Sequence, residues 1–535
     1  MSNPEEEIVH SSKIMALGTL ASRITGLVRG LLLVAVLGTA LLGDTYNIAN
    51  TMPNILYTLI IGGALTAVFV PQIVRSLRDS DGGSAFISRL LTATVVVLGA
   101  IVLISVLAAP ILVRIFASGY VGRPEFALTV LFMRYCLPQI FFMGIFALLG
   151  QIANAKNRFG PMMWAPVANN MVTILIFGYY LSLSPHWTVK SITAKEVAVL
   201  GLGTTFGYVV QAALLIPVIK QTKIALRPRF DWRDPELKKS LHLASWTLLF
   251  AAISQVSYLV TVNLSTHAAI AAERAHVTTG VGFTPYTNAY FILLLPHSVV
   301  TISLVTALLP HLSTLVIDRN FSEIHDRLVR TIRLVGVLIV PAAIGFLLFG
   351  PLISRSIFFG ISRQDANYVG YVLAGFALGL LPLSVNLIAL RGLNAFENVK
   401  SQVWSNLLMN IAAVLFSFVA TLALPAKWVT VGLAVALSAS NYCGTLVTLR
   451  LLRRYEIRIR GSEIIYFYLK LAATFLLVAI PLRFLEPKIP GGNILHLAMV
   501  LLLSGAGYFA AARAFKVTEV ASTVSLLLGR SRDRL

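Results

Sequence analysis

Residues 21–33 read ASRITGLVRGLLL and set two arginines, Arg23 and Arg29, inside a run otherwise apolar enough to cross a membrane. After Arg29 the apolar stretch from Gly30 to Gly43 is 14 residues long, whereas a helix needs about 20 to span the hydrocarbon. Starting after Arg23 gives Ile24 to Gly43, which is long enough but contains Arg29. Length therefore forces at least one arginine to membrane depth. Two explanations fit: the side chains snorkel to the inner headgroups, or they line a water-filled cavity, where charges mark transport paths. The pair lies six residues apart, about 9 Å along a helix and roughly 120° around it, so they can flank a wide cavity but not clamp a small ion. Gly26 and Gly30 leave room for a neighbouring helix or a ligand.

The rest of the chain has the same character. Of its 535 residues 57% are hydrophobic and 12% charged, half the charged share of a soluble domain, about 25%. The pattern reads as an all-α polytopic membrane protein with fourteen spans, near 14–42, 46–73, 90–116, 127–153, 161–184, 196–219, 241–267, 285–311, 329–350, 366–390, 401–424, 429–449, 463–484 and 494–514. The acidic start MSNPEEEIVHSSK does not resemble a secretory signal, so the first helix is expected to be retained. Cys136 and Cys443 both fall in apolar runs and suit small buried hydrophobes.

A net charge of +21 would suit nucleic acid if it were clustered, but the basic residues sit on alternate short loops. KQTKIALRPRFDWRDPELKK (220–239), RLLRRYEIRIR (450–460) and GRSRDRL (529–535) fall on one side. That asymmetry predicts both termini in the cytoplasm and no nucleic-acid partner. It divides the chain into an N-terminal lobe (1–219, six spans), a cytoplasmic interfacial linker (220–240), a C-terminal lobe (241–452, six spans), two further spans (453–515) and a cytoplasmic tail (516–535). A weak internal echo supports the division: span four ends LLGQIANAKN and span ten LIALRGLNAFEN, with Pro138 and Pro382 upstream. Spans two and eight both leave through a proline, in AVFVPQIV and TALLPHLS. Six helices of offset preserve orientation, so the repeat would be parallel.

Asp44 opens span two at its outer end, where an N-cap role suffices to explain it. Asn47, Asn50 and Asn54 follow with Pro53, a polar stripe that suits a cavity wall or a bend, and Gly62 and Gly63 add flexibility. Arg134 and Arg391 lie near span ends, where anchoring explains them, and His297 and His311 suit structural roles. No nucleotide-binding loop, zinc signature or sizeable extramembrane domain is visible. The expectation is a secondary carrier or flippase, not an enzyme, with no cofactor. Its substrate would be anionic, such as a phosphate group held by arginine forks. A cation exporter would want intramembrane carboxylates, a membrane glycosyltransferase would want carboxylates on a large loop, and a division scaffold would not need the arginines.

SRITGLVRG, DTYNIANTMPN, AVFVPQIV, GQIANAKNRFGPMMWAPVANN and LPHSVVTISLVTALLPHLS, in this order, together resemble the MurJ (MviN) family of lipid II flippases, in the superfamily that includes the MATE exporters. The resemblance implies a V-shaped carrier of two six-helix lobes plus two C-terminal helices. It also implies residence in the bacterial inner membrane and a central cationic cavity that takes the pyrophosphate and sugar-peptide head of lipid II. The last two helices would form a groove for the polyprenyl tail, and alternating access would deliver the head outward for peptidoglycan synthesis. Lipid II, membrane lipid and the division or elongation machinery are the partners it implies. Carried over by position, the substrate-binding residues would be Arg23, Arg29, Asp44, Asn50, Asn54, Asn154 and Arg391, with Asn157 and Arg158 in the same span-four exit. The alternative is a flippase for another polyprenyl-diphosphate glycan, or a MATE-like multidrug exporter. At five positions where family members commonly carry charge, this chain has Gly30, Tyr57, Gly62, Phe291 and Leu294.

Overall fold

A computed structural model describes residues 4–59, 70–78, 81–156, 158–183, 187–222, 224, 226–230, 235–396, 398–486, 492–517 and 519–520. Gly62, Gly63, Asn157 and the tail from 521 lie outside these, as do Trp232 of the linker and the start of AVFVPQIV. Among the described residues the chain is all helical. Eleven helices are long and apolar enough to cross a membrane, or twelve if one bent pair counts as a single span.

The helices of the first half are α1 (Pro4–Leu37), α2 (Leu41–Tyr57), α3 (Val70–Ser76), α4 (Ser84–Leu107), α5 (Ala109–Phe116), α6 (Pro124–Cys136), α7 (Gln139–Ala155), α8 (Gly160–Ser182), α9 (Ala194–Ala213), α10 (Ile216–Gln221) and α11 (Pro235–Arg274). Those of the second half are α12 (Phe283–Pro296), α13 (Ser303–Ile317), α14 (Phe321–Ile357), α15 (Arg363–Ala377), α16 (Leu380–Ala395), α17 (Val399–Ala423), α18 (Ala426–Leu452), α19 (Gly461–Leu485) and α20 (Asn493–Ala514). Thirteen of the fourteen expected spans overlap one of these helices or a broken pair of them; the second, near 46–73, overlaps α2 and α3, with 60–69 outside the described residues.

Local chemistry sets the breaks. Gly38 has a φ of 74°, a left-handed conformation that glycine adopts without strain, and it stops α1 five residues before the end expected from hydropathy. Pro110 stands in the first turn of α5, where its missing N–H costs nothing. Thr193 and Glu196 cap α9 reciprocally, and Ser362 and Asn320 accept from the Asp365 and Glu323 N–H groups to start α15 and α14. A 44° bend separates α15 from α16 near Gly379. Leu422, Ile317 and Phe484 are more than 70% exposed, as a lipid-facing belt requires and a water-soluble protein would avoid.

The span-four and span-ten endings share geometry as well as letters. Both helices end on the alanine of Asn-Ala, Ala155 and Ala395, with Lys156 and Phe396 as their C-caps. In each the chain closes with an N–H donated five residues back, Arg158 to Ala153 at 2.9 Å and Asn398 to Leu393 at 3.3 Å.

The chain forms two compact units, Met1–Ile270 and Ala271–Leu535. In the first, buried Tyr46 of α2 stacks edge-on against Phe132 (5.4 Å) and Phe177 (5.7 Å) and shares a 2.6 Å hydrogen bond with Thr204, joining α2, α6, α8 and α9. Most of α11 also belongs here: Asn263 donates to Ser118 and to the Ile115 carbonyl, and His267 meets Ser118 at 2.9 Å. Polar contacts along its far half tie it to elements of the first unit. Between α10 and α11 the linker runs past the start of α4, where the Arg227 and Arg229 N–H groups donate to Ser88 and Thr92.

In the second unit α14 is the hub. It crosses α15 backbone to backbone at Gly350 and Gly370. Tyr468 of α19 and Tyr508 of α20 donate to its Ile332 and Val337 carbonyls at 2.8 and 3.0 Å. The two C-terminal spans are thereby fastened to α14.

Candidate functional site

Arg29 lies twelve residues into the candidate span Leu17–Leu37, about 18 Å along the helix at 1.5 Å per residue. Because α1 ends at Leu37, only eight helical residues follow it. The break at Gly38 therefore sharpens the length argument: Arg29 is far from either end. It is half-buried, whereas Arg23, one and a half turns nearer the N-terminus, is exposed.

The stripe that carries Arg29 is anchored to α8. Asn170 donates its amide to the Ser22 carbonyl and to the Thr25 hydroxyl, both at 3.0 Å. Ser22, Thr25 and Arg29 recur at the 3–4 residue period of one helix face. Gly26 sits on the same stripe, and a Cβ there would lie 3.6 Å from the Asn170 amide nitrogen. Next to Asn170, buried Asn169 donates to Gln211 of α9 at 2.8 Å, so one helical turn of α8 joins α1 to α9 through amides. Bonds of this kind between membrane helices contribute about 0.6 kcal/mol each. They fix the rotation of α1 and with it the direction of Arg29.

Asp44 is fully buried. The N-cap of α2 is Ala40 and Asp44 is the fourth helical residue, so the capping explanation does not hold. An acid in the first turn still complements the helix dipole. Asn50 accepts from buried Gln139 of α7 at 3.2 Å, which ties the polar stripe of α2 to the start of α7. Asn54 is exposed and accepts from Thr58 at 3.4 Å. Asn154 donates to the Met162 sulfur at 3.2 Å, while its carbonyl oxygen is buried with no partner among the described residues. Arg391, in the second unit, buries its Nε equally unpartnered. A guanidinium N–H left so is costly unless water or a ligand reaches it.

The positions where the family resemblance implies charge carry none. Tyr57 packs beside the apolar cluster of Ile73, Ile87 and Leu148; Phe291 is 38% exposed and Leu294 half-buried. His297 is buried against the Ser384 hydroxyl at 2.9 Å in a π-helical turn, a satisfied structural contact, and His311 is exposed.

Gln139, Asn169, Asn170 and Gln211 are the site-building residues that sequence reasoning passed over. Their signal was present, as four amides within apolar runs. An uncharged amide, however, is cheap enough at membrane depth to pass unremarked beside arginine.

Along the second unit a groove of about 310 Å³ runs between α14, α19 and α20, lined by Pro341, Gly345, Phe475, Val500, Gly505 and Phe509. Its walls are apolar and suited to hydrocarbon.

Comparison with known proteins agrees with this architecture. A solved structure titled "Lipid II flippase MurJ, inward closed conformation" superposes with a TM-score of 0.73 at 19% identity, covering 94% of this chain and 98% of that one. An inward-facing multidrug MATE transporter of the MOP superfamily superposes at 0.64 with 14% identity, covering 81% and 95%. In sequence, a Vibrio cholerae protein named "Probable lipid II flippase MurJ" is 25% identical over 482 residues, 87% of either chain. The family described as "Lipid II flippase MurJ" matches residues 33–502, and with a match over most of its length the chain belongs to that family.

Proposed function

We propose that this chain moves lipid II, the undecaprenyl-diphosphate-linked peptidoglycan precursor, from the inner to the outer leaflet of the bacterial inner membrane by alternating access of two lobes, 1–219 and 241–452. Both termini are cytoplasmic, and the linker 220–240 lies on that face. The observation that carries the reading is Arg29, held at mid-span on a stripe whose rotation is fixed by Asn170. A charge there needs a counter-charge, and a diphosphate with two anionic forks answers it better than water.

Arg29 and Arg23 hold the pyrophosphate, with Asp44, Asn50, Asn54 and Asn154 of the first unit and Arg391 of the second as the further substrate residues. Family membership supports the substrate class, and the apolar groove beside α19 and α20 supports a seat for the polyprenyl tail. With Tyr57, Phe291 and Leu294 where relatives commonly carry charge, Arg23 and Arg29 take a larger share of phosphate binding. No step of this cycle makes or breaks a covalent bond. The division or elongation machinery is the protein partner to test.

The experiment is complementation. A bacterial host depleted of its own lipid II flippase is expected to resume growth and outer-leaflet display of lipid II when this chain is expressed. Failure of both, with the protein inserted in the membrane, contradicts the proposal.

A further inference from the structure

Two of the few basic residues expected on the side opposite the charged loops stand together. Arg355 and Arg363 both line a cavity of about 780 Å³ at the end of α14, where it meets the start of α15 and α20. Arg483 of α19 and Glu486 stand beside it: Glu486 pairs with Arg483 at 2.7 Å and with Arg355 at 3.6 Å. The simplest explanation is an ion pair tying α14 to α19. One carboxylate, however, neutralises one guanidinium, and three share this corner. The next acid, Asp365, accepts from the Gly280 N–H at 2.7 Å and from Ser362 and keeps its charge, so three guanidiniums face two carboxylates. The cavity therefore keeps an excess of positive charge on the face where the topology elsewhere avoids it.

Its walls are built. Ser356 donates to the Asn493 carbonyl at 2.7 Å, pinning the first turn of the 22-residue helix α20 to α14. Asn493, Ile494 and Leu495 of that turn border the same cavity, and the positive end of the helix dipole adds to its preference for anions. The cavity also continues the apolar groove. On α14 the groove is lined up to Ile353 and the cavity from Arg355; on α20 the groove is lined from Leu497 and the cavity up to Ala498. A basic pocket at the end of a hydrocarbon slot is the shape of one lipid.

We propose that Arg355 and Arg363 form an outer-leaflet site for a phosphate-headed lipid whose chain lies in the groove between α14 and α20. In the proposed cycle this is where the carrier lipid rests after translocation, so the inference extends that reading and shares its topology.

The test uses the purified full chain with a photoactivatable farnesyl diphosphate. Crosslinks are expected in residues 355–366 and 492–498. Arg355→Gln/Arg363→Gln is expected to lower this labelling about tenfold or more, the loss of at least one charge-assisted contact. Arg363→Gln alone, which breaks no ion pair of the fold, is expected to lower it in the same direction. Unlabelled phosphatidylglycerol should compete, and inorganic pyrophosphate at equal concentration should not. Labelling of 355–366 and 492–498 that is absent, or that ignores both variants, overturns the site; equal competition by pyrophosphate overturns the lipid as occupant. Crosslinks beside Arg29 in α1, the pyrophosphate seat proposed above, are counted separately: loss of the 355–366 and 492–498 crosslinks with the α1 crosslinks kept overturns the outer site alone, and the reverse overturns the central seat alone. An impermeant maleimide reaching Phe359→Cys only from the cytoplasmic side would overturn the outer placement.

Discussion

Arg29→Ala abolishes rescue of flippase-depleted cells while leaving membrane expression unchanged; that is the expected result with the largest functional effect. The reason is positional. The side chain leaves α1 about 18 Å into the span, on the stripe that Asn170 holds against α8. Removing it deletes a charge without opening an apolar core, so folding is spared. Binding loses a charge-assisted contact of about 1.5–3 kcal/mol, roughly ten- to a hundredfold in affinity. Arg29→Lys separates charge from geometry: it keeps the cation but not the planar fork, and partial rescue is expected. Full rescue by Arg29→Ala, measured as growth rate at equal expression, would remove Arg29 from the substrate path.

The largest structural effect is expected at Gly370. A Cβ there would stand 2.5 Å from the Pro351 Cα and backbone nitrogen and 2.6 Å from the Gly350 carbonyl carbon. All three are backbone atoms, which cannot rotate away as a side chain could. Small residues let membrane helices approach this closely, and here they set the crossing of α14 on α15. Overpacking typically costs about 1–3 kcal/mol, more where the backbone itself must move. Gly370→Ala should therefore lower the melting temperature of the detergent-solubilised protein markedly, and Gly370→Leu should prevent accumulation of folded protein. Gly178→Ala on α8, with nothing within 4 Å, is the silent control. Equal melting of Gly370→Ala and the parent would refute the crossing.

Hydropathy makes the spans legible because a lipid-exposed helix must be apolar over its whole length. Each expected span therefore overlaps one or more of the described helices. The breaks are less legible. Gly38 reads as one more small apolar residue, yet its left-handed backbone ends α1 and moves the start of α2 ahead of Asp44. The pairing of α11 with the first unit is carried by Asn263 and His267 across 145 to 149 positions of sequence, a separation that no local pattern encodes.

Within the site, Arg23 and Arg29 are conspicuous because charge at membrane depth is expensive. The amides that orient them are not: Asn169, Asn170 and Gln211 acquire meaning only once α8 lies between α1 and α9. Tyr57 is the converse case. Its position invites comparison with a cavity arginine, and its packing beside Ile73 and Leu148 supplies the apolar wall of its helix instead.

The central claim is that this chain carries lipid II across a bilayer on an arginine pair. It is tested most directly in vesicles loaded with lipid II, using a membrane-impermeant enzyme that cleaves only headgroups exposed on the outside. With the purified chain inserted, the protected inner pool should become accessible, and with Arg23→Ala/Arg29→Ala it should stay protected as in protein-free vesicles. An inner pool that stays protected with the parent chain, or drains equally with the double variant, would contradict the account.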